Sequence, residues 1–247
     1  MTLIEIALVV AILVTIAGFV VPNFIRRIER ERLPGSARKL RSLIALVRAN
    51  AAFDGTQYRI RFPLEDELDA LGGTRQPMVE REDDPIHEPE VFNLVTAPWA
   101  VGNTLLGGIR CAEVRLGRPT IEQLRARELR SQIEEALEEA FEDFDPRLPP
   151  LLIQPDGGSD WVTFLLTDAP DDVAVEDLDD AEEFGRIEVI SSGLTGLTWL
   201  QRPLYEEEVD LFEDKGWPIV LRQDFLNPRV LTEDDVLELR DIPQTQR

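Results

Sequence analysis

Apolar and polar positions alternate along this chain in three different periods. Residues 1–25, MTLIEIALVVAILVTIAGFVVPNFI, carry one acid, Glu5, and no charged residue from Ile6 to Ile25. A run of about 20 apolar residues is the length a helix needs to span a bilayer, so the pattern predicts a membrane-spanning helix. A carboxylate within such a helix costs roughly 2.5–3.5 kcal/mol at its centre and less near an end. Glu5 is therefore a functional candidate that needs a partner. The nearest one is an α-amino group, its own or a neighbouring subunit's.

The period then changes. Pro22 and the Pro34-Gly35 pair are candidate kinks in a helix that continues through the charged stretch. From Ser36, Ala37, Leu40, Ile44, Val47 and Ala51 recur at spacings of three and four, which is one helical face. Arg38, Lys39, Arg41 and Arg48 fall mostly off that face, and Asp54-Gly55 signals the end. Next, Tyr58, Ile60 and Phe62 alternate with polar neighbours, the period of a half-buried strand.

Residues 64–149 read as an acidic, proline-punctuated insertion. Its first part, to about Pro98, reads as loop with one short strand around Val91–Val95. Thr120–Phe144 reads as a helix opened by a Thr120/Gln123 capping box. Its stripe is Leu129, Ile133, Leu137, Phe141 and Phe144, and it is expected to pack on its own domain, with a partner-binding face as the alternative. The strand pattern resumes at Leu151–Ile153. It continues through the turn Pro155–Asp160, WVTFLLT at Trp161–Thr167, IEVI at Ile187–Ile190, the turn Ser191–Gly193 and LTGLTWL at Leu194–Leu200. The expected organisation is a transmembrane half-helix (1–25), an amphipathic stalk helix (26–53) and a β-rich head (54–247). The head holds the insertion 64–149 and a C-terminal extension, 201–247.

Charge sharpens this picture. The chain of 247 residues has a net charge of −22, from 26 basic and 48 acidic side chains. Residues 1–63 sum to +6 and residues 64–247 to −28. A head of that sign repels nucleic acid, whose phosphates are bound through Lys and Arg. It suits solubility, or docking between basic stems and acidic surfaces. One cysteine, Cys111, and one histidine, His87, exclude an intrachain disulfide and a Cys/His zinc site. A Ser-His-Asp triad would need His87, which sits in the loop DDPIHEPE. The sequence has no phosphate-binding glycine loop. Acidic loops such as Asp168–Asp180 offer oxygen ligands to calcium without EF-hand spacing, and read as solvated. No cofactor, small-molecule substrate or catalytic activity is expected.

The N-terminal pattern resembles mature type IV pilins and the pseudopilins of type II secretion. The matching residues are Thr2-Leu3-Ile4-Glu5, the apolar run, Gly18 and Pro22. The family's usual first residue is Phe, and this chain has Met1. Two further pieces resemble the H-type minor pseudopilins: LRSLIALVRANAAFDGTQYRIRF, a helix running into a strand, and the pair I-x-P-D-G-x-S and I-x-V…L-T-G. The second pair places Asp156, Gly157, Ser159, Thr195 and Gly196 in family-motif turns. The resemblance covers about residues 1–63 and 151–200.

The resemblance implies an α+β pilin-like fold, with a long N-terminal helix, transmembrane in its first half, packed on an antiparallel β-sheet head. It implies that the numbering begins at the processed N-terminus, with Met1 the processing and N-methylation site, Glu5 an assembly residue and Pro22 the helix kink. It implies a minor pseudopilin in a short periplasmic pseudopilus that helps export folded proteins. Partners would be other pilin-like subunits through the N-terminal helix, the inner membrane, and prepilin peptidase during maturation. The protein would be a single-pass inner-membrane protein with a periplasmic head. Arg26, Arg27, Arg30 and Arg32 oppose this orientation under the positive-inside rule, and the family resemblance is followed over it. The alternatives are a minor pilin of a type IV pilus, or a signal-anchored periplasmic hydrolase or binding protein. The last would leave Glu5 and Pro22 unexplained.

Overall fold

The computed structural model describes residues 31–63, 65–68, 75–118, 148–170, 184–204 and 224–226, with the single positions 173, 175, 178 and 208. Helix α1 covers 31–54 and continues unbroken through Pro34 and Gly35. Its apolar spacing is realised in packing: Leu33, Ala37, Leu40, Leu43, Ile44, Val47 and Ala51 are all buried on one face. It ends where the Gly55 amide donates to the Ala51 carbonyl, with Gly55 at a φ of 67°, the left-handed turn that glycine adopts at a helix C-terminus.

Eight strands follow: β1 Tyr58–Arg61, β2 Met78–Glu82, β3 Phe92–Leu94, β4 Arg110–Leu116, β5 Leu151–Ile153, β6 Val162–Thr167, β7 Arg186–Ser191 and β8 Thr198–Gln201. A short helix, α2, covers Glu65–Leu68. The strands form two four-stranded sheets, β3-β2-β1-β5 and β4-β6-β7-β8, and every pairing is antiparallel. One core joins both sheets and α1. Tyr58, Ile60, Val79, Leu151 and Ile153 come from the first sheet, and Val114, Val162, Phe164, Leu166, Val189 and Leu200 from the second. Phe62 and Phe164 meet edge to face at 5.9 Å across the two sheets, a favoured aromatic geometry.

This corrects the expected architecture. The β-structure is not one sheet carrying a long helix; it is divided into two sheets around a core that α1 shares, and the described part is mostly β. Among the described residues no helix is long and apolar enough to cross a membrane, which runs against the expected single-pass inner-membrane placement. The apolar run 1–25, with Met1, Glu5 and Pro22, lies outside the described residues.

The reading of segment 64–149 is also corrected, between residues 75 and 118. The segment supplies β2 and β4 as well as β3, so two strands stand where loop was expected or nothing was assigned. The second sheet's last strand starts at Thr198, later than its sequence pattern suggested, because Gly193–Thr195 form the turn. The Thr120–Phe144 helix lies outside the described residues, as does most of 201–247.

Candidate functional site

Arg48 is the one charged side chain between Ser42 and Phe53. It follows Val47 on α1 and reaches from the helix into two turns. Its Nη1 donates to the carbonyls of Gly157 at 3.2 Å and Gly193 at 3.4 Å. Its Nη2 donates to Ser159 Oγ at 2.7 Å, the Ser192 carbonyl at 3.0 Å and Ser191 Oγ at 3.3 Å. Nε is buried without a partner among the described residues. All five acceptors are neutral oxygens, and burial lowers the guanidinium pKa from its ordinary value. Arginine stays charged under such a shift, so the site is a fixed cation held by carbonyl and hydroxyl dipoles.

The turns are shaped to receive it. In the β5–β6 turn, Asp156 Oδ1 accepts from the Gly158 amide at 2.7 Å, an Asx turn. Gly157 takes a φ of 79°. In the β7–β8 turn, the Gly196 amide donates to the Ser192 carbonyl at 3.0 Å, and Thr195 Oγ1 accepts from the Leu197 amide at 3.3 Å. The two turns touch directly: the Ser159 amide donates to the Gly193 carbonyl at 3.2 Å. A Cβ on Gly193 would fall 2.0 Å from the Ser159 carbonyl oxygen.

The structure therefore gathers all five motif-turn residues at one place. Gly157 and Ser159 bond Arg48, Gly196 leaves it room, and Asp156 and Thr195 set their turns. Arg48 itself was not singled out in the sequence. The available signal was an isolated arginine in the otherwise uncharged run SLIALVRANAAF. A second tie between α1 and β8 lies nearby: Arg41 Nη1 holds both Asp224 carboxylate oxygens at 2.9 and 2.8 Å, and the Leu200 amide donates to Asp224 Oδ1 at 3.0 Å.

Beyond these ties, α1 turns a second apolar face outward. Ala45, Leu46, Ala49, Ala52 and Phe53 are exposed, Phe53 to 89%. A groove of about 270 Å³ runs beside this face between Leu43, Leu46 and Trp99, with Arg38 and Lys39 on its rim.

No catalytic grouping accompanies this arrangement among the described residues. His87 is exposed and its Nδ1 contacts Asp84 at 2.9 Å. Burial pushes the Cys111 thiol up and away from the reactive thiolate. No group of three or more His, Cys, Asp or Glu side chains is placed to hold a metal ion among the described residues. No family model, curated protein or solved structure matches the chain.

Proposed function

We propose that the chain is a structural subunit of a short pilin-like filament, a minor pseudopilin of a type II protein secretion system, which helps export folded proteins by mechanical rather than catalytic work. One observation carries this reading: α1 has two apolar faces, one spent on the core and one bare, on a helix clamped to both sheets through Arg48. A lone domain gains nothing from an exposed row of Ala45, Leu46, Ala49 and Phe53. A subunit that packs helix to helix does. The Thr2–Glu5, Gly18 and Pro22 pattern supports the same reading, with Glu5 neutralising an N-terminal amine as subunits meet.

The test is deletion of the gene in its native host, followed by comparison of the exported proteins and of surface pili. The reading predicts that a set of folded proteins fails to leave the cell while pili persist. Loss of pili with normal export would identify a type IV minor pilin, and no change in either would overturn the proposal.

A further inference from the structure

We infer that the open edge of β3 is a docking site for a basic, extended polypeptide segment of a partner protein, which adds to the sheet as a further strand. This surface is distinct from the outward face of α1, and the inference does not rest on the pseudopilin reading.

The ladder shows which backbone groups are free. β3 is the outermost strand of its sheet and pairs with β2 alone. The Val95 amide donates to the Val79 carbonyl at 2.9 Å, and antiparallel bonding alternates along a strand. Asn93 therefore faces Arg81 in the bonded ladder, while the N–H and C=O of Phe92 and Leu94 point away from β2. On the other side of β2, the Glu82 amide donates to the Gln57 carbonyl at 2.9 Å, which agrees with this phase. No described residue pairs with the outer side of β3. Unpaired edge groups of this kind are a template for another chain.

Three apolar side chains are exposed around the edge: Ile86 to 84%, Leu94 to 51% and Val91 to 46%. The strand itself is held in place. Arg59 lies over the Phe92 ring at 4.3 Å, and Glu90, at a φ of 65°, donates its amide to Glu82 Oε1 at 2.8 Å.

Charge selects the occupant. In the loop before β3, Asp83 is engaged by Arg81 and Asn93 and Asp84 by His87. The Glu88 and Glu90 carboxylates are exposed and have no ion-pair partner among the described residues. Two copies meeting edge to edge would bring these acids together, which opposes self-pairing. A strand with Arg or Lys alternating with apolar residues would place its apolar side chains on the face that holds Leu94, and its cations within reach of Glu88 and Glu90.

The test is a fluorescence anisotropy titration of the full chain with a labelled peptide of alternating Arg and Val, beside a peptide of alternating Glu and Val. Saturable binding of the basic peptide only is expected. Its Kd should rise at least about tenfold in Glu88→Lys/Glu90→Lys, because close charge pairs govern such docking. Leu94→Pro, which removes an edge donor, should abolish binding. Hydrogen exchange on the unaltered chain gives a second readout: the Phe92 and Leu94 amides should be protected when the basic peptide binds. Equal binding of the two peptides, no binding at about 1 mM, or no new protection at those amides would overturn the proposal. So would concentration-dependent self-association that Leu94→Pro removes, since the occupant would then be a second copy.

Discussion

The guanidinium of Arg48 occupies the space that a side chain at Gly196 would fill: a Cβ on Gly196 would lie 2.7 Å from Nη1. Gly196 also has a φ of 67°, a conformation that costs a non-glycine residue free energy. The absence of a side chain at 196 and the presence of arginine at 48 are thus one requirement. Through it the helix, the β5–β6 turn and the β7–β8 turn are fixed to each other.

Arg48→Ala should destabilise the protein by about 2–4 kcal/mol, since it leaves several partly buried carbonyl and hydroxyl groups without their charged donor. Arg48→Lys should recover less than half of that loss, because an ammonium cannot reproduce the planar fork that reaches both turns. Urea denaturation of the three proteins measures both effects.

Gly193 and Gly102 form a matched pair. A Cβ at 193 meets the Ser159 carbonyl oxygen at 2.0 Å, a backbone atom that cannot move without parting the two turns, whereas a Cβ at 102 meets nothing within 4 Å. Gly193→Ala should cost about 3 kcal/mol or more, and Gly102→Ala should stay within about 0.5 kcal/mol of the parent. Thermal melts of both variants decide it.

Tyr58 ties the end of α1 to β1: its hydroxyl donates to Asp54 Oδ2 at 2.5 Å. Burial first, then the bond to Asp54, raises its pKa above the ordinary 10.0. The folded protein therefore keeps this proton where the unfolded chain releases it. The stabilisation is fully present below about pH 10 and is lost as pH rises through the folded pKa. Absorbance at 295 nm, parent minus Tyr58→Phe, should show a midpoint above 10, and the variant should lose part of the parent's alkaline sensitivity.

Much of the local structure was legible because its periods are clean. The α1 face Ala37-Leu40-Ile44-Val47-Ala51 and the alternation Tyr58-Ile60-Phe62 appear in the core as read. β2 was not legible. In MVERE, Glu80 and Glu82 are buried on the sheet's far face, and Glu80 is held there by Arg59 and Arg61. Long-range ion pairing thus hid a strand behind charged letters. β4 was missed because a bulge between Cys111 and Glu113 breaks its alternation. The division into two sheets depends on which strands meet across the core, and spacing along the chain does not encode that. At the site, Asp156, Gly157, Ser159, Thr195 and Gly196 were expected in turns, and they lie between β5 and β6 and between β7 and β8. Arg48, which joins them, is in sequence only one of four basic residues lying mostly off the apolar face of α1, and spacing alone does not show that it reaches the turns.

The outward face of α1, with Leu46 and Phe53 exposed, is the proposed assembly surface. A photo-cross-linking amino acid placed at Phe53 in the full chain in its native host, with the adducts identified by mass spectrometry, decides the matter. An assembly surface there predicts adducts with helices of neighbouring subunits. It also predicts that Leu46→Glu abolishes those adducts and protein export, while the melting temperature changes by no more than about 2 °C, as for an exposed position. Phe53 adducts confined to this chain's own residues, together with normal export by Leu46→Glu, would contradict the account.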